Sequence, residues 1–151
     1  MTIEELNDAW RVNNAVNLEL LDLCADEHFD LKPGKGKTIR SNWTHIIGVR
    51  GMWLKERMRK DAASLKKLDW KTATRKQVLD GLKKTDVLMQ KLFAKMEEED
   101  RGGRFGSTVK FFAYAVAHEA HHRSQIEIAL RINGHEPEVM LLYNLWDWSK
   151  K

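Results

Sequence analysis

The sequence contains one cysteine and no long apolar run. A single cysteine, Cys24, excludes an intramolecular disulfide framework and fits a reducing compartment. No stretch approaches the roughly 18 consecutive apolar residues of a membrane span. The acidic, amphipathic start MTIEELNDAW lacks the basic and apolar regions of a secretory signal. We therefore expect a cytoplasmic protein with no membrane partner.

Signatures of nucleic-acid binding are also missing, although the charge is basic. The 151 residues carry a formal net charge of +4, and much of the excess lies in residues 55–76. No helix-turn-helix, zinc-finger or RNP pattern accompanies this segment, and the loop at 30–37 lacks the GxxxxGK[ST] spacing of a phosphate loop. The segment is typical of a solvated helix end, so we expect no nucleic-acid partner.

No turn-bounded alternation predicts a β-strand, whereas helix signals recur along the chain. The hydrophobic content of 42% and charged content of 32% are typical of a globular domain. We predict an all-α fold, a four-helix bundle forming one domain over 1–151 with a short C-terminal closing segment at 139–148. The expected N-caps are Thr2, Thr38, Thr74 and Ser107, with the second helix reaching about Lys60, a turn at 101–107, and the fourth helix ending near Asn133 before Gly134.

Two asparagines in the first helix do not fit a purely apolar core. Asn13 and Asn17 interrupt the apolar stripe of the first helix, and a buried amide needs hydrogen-bond partners. They face either a polar pocket or another helix, and both alternatives stay open.

Leu68 and Trp70 are expected to fold back onto the core, and the tail is expected to pack as a short helix.

The most informative stretch is VAHEAHHRSQIEIAL, residues 116–130. Residues four apart share a helix face, so His118 and His122 can present two imidazoles to one metal ion. The alternative is a solvated histidine cluster. His45 lies on the second helix, and a bundle that faces this helix with the fourth would add a third imidazole. Three histidines leave coordination positions open, and imidazole suits zinc, nickel, iron and copper alike.

The same letters, HEAHH, also fit the metalloprotease pattern H-E-x-x-H. In that interpretation His118 and His122 bind zinc and Glu119 is the general base. A zincin also needs a third ligand downstream and a sheet that holds its substrate. The only carboxylates at a suitable distance, such as Glu136 and Glu138, flank Pro137 in a predicted loop, and the expected strands are missing. The pattern therefore does not favour a protease.

Taken together, these segments resemble the DinB/YfiT-like superfamily, whose members are four-helix bundles with a three-histidine metal site. The resemblance covers nearly the whole chain and is carried by IRSNWTHIIGVRGMWLKE, HEAHHRSQI and the tail RINGHEPEVMLLYNLWDW. The second segment matches H-x-x-x-H-R-G-Q, except that Ser124 replaces the frequent glycine. The resemblance implies His45, His118 and His122 as metal ligands and leaves His121 out of the ligand set. Helix geometry places His121 where it could border the site.

Known enzymes of the superfamily include thiol-dependent transferases and isomerases, and others are described as hydrolases. The resemblance thus implies a divalent-metal-dependent enzyme with thiol S-transferase-like chemistry on small electrophiles. The metal would be zinc or nickel, with iron or manganese as alternatives, and the co-substrate a low-molecular-weight thiol. A metal-dependent hydrolase and a non-enzymatic metal-binding stress protein are the alternatives, and a homodimer stays open. Glu119 could transfer protons, and the residues expected to line the substrate pocket are Asn13, Asn17, Arg123 and Gln125.

Overall fold

The computed structural model describes residues 2–99 and 103–151, and these residues form no β-strand. None of the described helices combines the length and apolar character needed to cross a membrane. The predicted all-α fold is confirmed. Its four long helices are α1 (Ile3–Asp22), α2 (Ile39–Arg57), α3 (Arg75–Glu98) and α4 (Thr108–Ile132), and the short α5 (Val139–Asn144) follows.

The helix ends follow the predicted caps. All four predicted N-cap side chains accept a hydrogen bond from the backbone N–H three residues on, and Thr2 and Thr74 complete capping boxes. Helix α2 ends at Arg57, earlier than expected, because the backbone of Met58 leaves the helical region. Gly134 follows the end of α4 with a φ of 80°, which favours glycine. Residues 101 and 102 of the predicted turn lie outside the described residues.

Helices α1 and α2 occupy opposite corners of the bundle, and each packs between α3 and α4. The interior contains two apolar clusters. The first surrounds Trp43 and the second surrounds Trp10 and Trp53. Helices α1 and α4 pass from the second cluster to the first, whereas α2 and α3 pass from the first to the second. Helices α2 and α3 therefore run parallel, and the connection between them must return along the bundle.

A polar layer separates the two apolar clusters, and every long helix contributes to it. Each contributing side chain is buried although it carries an amide, hydroxyl, imidazole or charge. Buried polar groups are costly unless they find partners. The members of this layer are Asn13, Asn14 and Asn17 on α1, Arg50 on α2, Thr85 on α3, and Glu119, His122 and Arg123 on α4.

The connection from α2 to α3 departs in part from expectation, whereas the tail forms the expected short helix. Leu68 packs against the first apolar cluster as predicted, but Trp70 is 56% exposed and does not fold onto the core. In the tail, the predicted short helix forms and Leu145 is buried, whereas Tyr143 and Trp146 are exposed. The tail contacts the first apolar cluster through the aliphatic side chains of Leu142 and Leu145.

Candidate metal centre

Three histidines from two helices converge at the edge of the polar layer. One ring nitrogen from each of His45, His118 and His122 lies within 4.8 Å of the other two. The Nε2 atoms of His45 and His118 are 3.3 Å apart. Two nitrogens bound to one tetrahedral zinc ion at about 2.0–2.1 Å are themselves about 3.3–3.4 Å apart. The donor set therefore fits a divalent cation without rearrangement of this pair.

Asn42 fixes the ring orientation of the third histidine. Its Nδ2 donates to the carbonyl oxygen of Thr38 at 3.0 Å, so its Oδ1 faces His122 Nδ1 at 2.8 Å. An amide oxygen only accepts, so Nδ1 of His122 must carry the proton. The lone pair is then on Nε2, the nitrogen left for a metal ion. Metal-binding histidines in proteins commonly have such an oxygen partner on their second nitrogen.

The local electrostatics keep the three imidazoles neutral. Burial lowers the pKa of His45, and the positive charge of Lys37 lowers it further. Burial also lowers the pKa of His118, and the neighbouring His45 lowers it further. Burial and the neighbouring histidines lower the pKa of His122 to about 4. Only a neutral imidazole has the lone pair that a metal needs. The site is therefore ready to bind a cation near neutral pH.

Beside the histidines, α4 carries a buried ion pair. The carboxylate of Glu119 accepts two hydrogen bonds from Arg50, at 2.6 Å from Nε and 2.8 Å from Nη2, and both side chains are 2% exposed. Burial alone would raise the pKa of Glu119, but Arg50 and the hydrogen bonds it receives lower it below its usual value. Glu119 is therefore held as a carboxylate inside the bundle.

The two asparagines of α1 bridge this ion pair to a second arginine. Asn13 and Asn17 each donate from Nδ2 to Glu119 Oε2, at 2.7 and 2.8 Å. Each accepts from Arg123 Nη1 through its Oδ1, at 3.0 and 2.8 Å. Arg50 also donates to Asn14 Oδ1 at 2.9 Å. Of the two alternatives open for these asparagines, the helix–helix hydrogen bond is the one that forms.

Helix α4 thus presents two adjacent polar stripes. The ligand stripe, His118 and His122, faces His45 on α2. The anchor stripe, Glu119 and Arg123, faces the asparagines of α1 and reaches Arg50 on α2. Each stripe follows the four-residue spacing of one helix face, and the anchor stripe is one residue further along.

The predicted pocket residues separate into two environments. A cavity of about 580 Å³ borders His45, and none of Asn13, Asn17, Arg123 and Gln125 lines it. Asn13 and Asn17 contact the anchor stripe, to which Arg123 itself belongs, and Gln125 is half-buried on α4. Their pocket role stays a prediction, as does proton transfer by Glu119. The contacts of Glu119 join α4 to α1 and α2.

The DinB family model matches residues 1–149. The chain belongs to the DinB family. No curated protein and no solved structure shows a significant match to it. Within this DinB-family bundle, the three-histidine group is compatible with metal binding.

The structure also shows contributors that the sequence did not reveal. Arg50 binds Glu119 from α2, and Asn42 orients His122. Arg50 lies on the same helix face as Trp43, Ile46, Trp53 and Leu54, and a charge within an apolar stripe is the signal by which it could have been found. His121 is exposed, and its ring contacts that of His122 at a centroid distance of 5.0 Å without joining the ligand group among the described residues.

Proposed function

We propose that this DinB-family protein is a divalent-metal-dependent enzyme with thiol S-transferase-like chemistry on small electrophiles. The observation that carries the proposal is the convergence of His45, His118 and His122 at a half-exposed edge of the bundle. A three-imidazole set uses only part of a metal's coordination sphere, and catalytic sites need such open positions. Zinc or nickel would suit it, with iron or manganese as alternatives.

A bound divalent ion would lower the pKa of a coordinated thiol or water and so make it a nucleophile at neutral pH. The chain's own residues would hold the ion and shape its surroundings. Asn42 keeps the His122 lone pair directed at the site, and the anchor stripe fixes the position of α4. Three neutral imidazoles leave the ion's full positive charge available to the substrate.

The thiol must come from a substrate. Cys24 is the only cysteine in the sequence, and its side chain is 1% exposed. Burial raises the pKa of its thiol to about 12. A buried thiol of this kind stays protonated and unreactive. This environment supports a low-molecular-weight thiol as co-substrate in place of a cysteine nucleophile.

The proposal can be tested with zinc- or nickel-loaded protein, glutathione or free cysteine, and 1-chloro-2,4-dinitrobenzene as the electrophile. We expect a rate of conjugate formation that disappears on chelation and in His45→Ala, whereas His121→Ala retains it. Equal rates with and without metal would contradict the proposal. Metal-dependent cleavage of p-nitrophenyl acetate without thiol transfer would favour the hydrolase alternative. Metal binding with neither reaction would favour the non-enzymatic stress protein.

A further inference from the structure

A continuous groove extends from His45 along the surface between α2 and the 58–74 connection. The cavity beside His45 and a second cavity of about 530 Å³ share Gly48, Met52, Lys67 and Leu68. The second cavity lies between α2 and α3 under the connection. Both volumes fall within the roughly 300–1,000 Å³ of small-molecule sites. The groove therefore offers room for an elongated substrate that reaches His45, one of the three histidines of the candidate metal centre.

The floor of the groove is apolar. Its α2 side is formed by Ile47, Val49 and Met52, and the connection adds Leu65 and Leu68. The space above two glycines of this part of α2 is open, since a Cβ at Gly48 or Gly51 would meet nothing within 4 Å. Gly48 is exposed in mid-helix, where glycine costs about 1 kcal/mol relative to alanine. Gly48 therefore leaves space above α2, although glycine makes the helix less stable than alanine would at this position.

Lysines line the rim along the whole length of the groove. Lys37 borders the His45 end, and its positive charge lowers the pKa of both His45 and His122. Lys84 donates to the backbone oxygen of Ser64 at 3.2 Å, and the one acidic group in the lining, Asp80, already pairs with Lys76 at 2.6 Å. Across 2–99 and 103–151, no carboxylate pairs with the other rim lysines, which are Lys37, Lys55, Lys66 and Lys67.

We infer that the groove binds an anionic amphipathic substrate, an organic carboxylate, sulfonate or phosphate with an extended apolar body, and directs it to the three-histidine site. The apolar floor would bury the body and the unpaired lysines would contact the anionic group. This inference rests on the proposed function for the reaction that follows binding. Binding itself needs only the groove, so it can be tested separately from metal chemistry.

The test is isothermal titration of the full chain, metal-free and zinc-loaded, with dodecanoate below its micelle concentration. Dodecanol, dodecyltrimethylammonium and acetate serve as neutral, cationic and short-chain comparators. We expect one dodecanoate per chain and at least about tenfold weaker binding of every comparator. Equal or tighter binding of dodecanol or of the cation would overturn the inference, and so would no binding of dodecanoate.

Two pairs of variants locate the site. Gly48→Leu fills the middle of the groove, while Ala113→Leu adds the same side chain at an exposed position of α4. Lys66→Glu/Lys67→Glu reverses the charge of two lysines on the rim of the groove. Lys83→Glu/Lys91→Glu makes the same net charge change on the exposed surface of α3. We expect each groove variant to weaken dodecanoate binding by about tenfold or more and each control to leave it unchanged. Circular dichroism confirms folding, and unchanged binding in a folded Gly48→Leu variant would overturn the inference.

The outcomes also separate this inference from the proposed function. If the protein holds zinc but does not bind dodecanoate, the groove assignment is wrong and the proposal of a metal centre is unaffected. His118→Ala protein that has lost zinc but still binds dodecanoate supports the groove independently of the metal. Sedimentation with phosphatidylcholine vesicles containing phosphatidylglycerol addresses a lipid surface. The inference would be overturned if the protein bound these vesicles but not dodecanoate, and if Lys66→Glu/Lys67→Glu abolished the vesicle binding.

Discussion

The two polar stripes of α4 lie side by side but differ in how their polar atoms are satisfied. In the anchor stripe, Glu119 and Arg123 bind partners on α1 and α2 within the protein, deep inside the bundle. In the ligand stripe, His118 and His122 meet His45 with ring nitrogens directed at one another near the surface. A saturated hydrogen-bond network positions helices, whereas imidazole nitrogens that converge on one point are arranged to suit a cation.

This comparison gives HEAHHR a different interpretation from a protease motif. The glutamate between the two histidines lies about 100° around the helix from His118, so it belongs to the neighbouring stripe. Its contacts with Arg50, Asn13 and Asn17 hold it there. A residue pattern alone does not reveal which face each letter occupies in the folded chain.

The largest expected effect is on the anchor stripe. Glu119→Ala should lower the free energy of unfolding by about 3–5 kcal/mol, because it leaves the buried Arg50 without its counter-charge. The exposed Asp8–Arg11 pair provides the matched control, and Asp8→Ala should cost less than about 1 kcal/mol. Urea unfolding of metal-free protein gives both values.

A paired replacement sharpens this result. Arg50→Met/Glu119→Met removes both charges and should be less destabilising than Glu119→Ala, since no lone charge stays buried. If Glu119→Ala cost no more than Asp8→Ala, the anchor role of this stripe would be wrong.

A smaller effect is expected on metal affinity through Asn42. Asn42→Ala removes the acceptor of His122 Nδ1 and should weaken zinc binding by about 10–100-fold. Asn133→Ala removes side-chain bonds at the far end of α4 and should leave the affinity unchanged. Competition titration with a chromophoric chelator measures both, and equal affinities in the two variants would show that Asn42 does not orient the ligand.

The smallest effect concerns the pH dependence of metal-free protein. The pKa of each ligand histidine is lowered on folding, and that of His122 falls to about 4 from an ordinary value near 6.5. Between these values the unfolded chain binds more protons than the folded one. The free energy of unfolding should therefore decrease as pH falls from about 6.5 toward 4.

The histidine contribution can be separated by substitution. His122→Gln should show a shallower decrease over this interval, and urea midpoints at a series of pH values measure the slope. Identical slopes for His122→Gln and the unsubstituted protein would contradict neutral burial of this imidazole.

The predictable part of the site is the part set by local spacing. The four-residue interval placed His118 and His122 on one face, and capping signals placed all four long helices. His45 required knowledge of which helices are neighbours, and only the family resemblance supplied it. Arg50 was missed because helical spacing identifies a face but not the charge that this face will meet on another helix.

Surface contacts were the least predictable. Trp70 was expected on the core, yet it is exposed, and side chains from the long helices form most of the two apolar clusters. The groove likewise depends on the 58–74 connection, whose irregular backbone leaves no periodic signal. Lys55, Lys66 and Lys67 belong to the segment that the sequence presents as a solvated charged run, and only the fold shows that they border the groove.

The measurement that tests the central claim most directly is the metal content of purified, untagged protein by plasma mass spectrometry. His45→Ala and His118→Ala are measured beside it, with His121→Ala as the control. The account predicts about one divalent ion per chain, retained in His121→Ala and lost in both ligand variants. No bound metal in the unsubstituted protein, even after incubation with zinc or nickel, would contradict it.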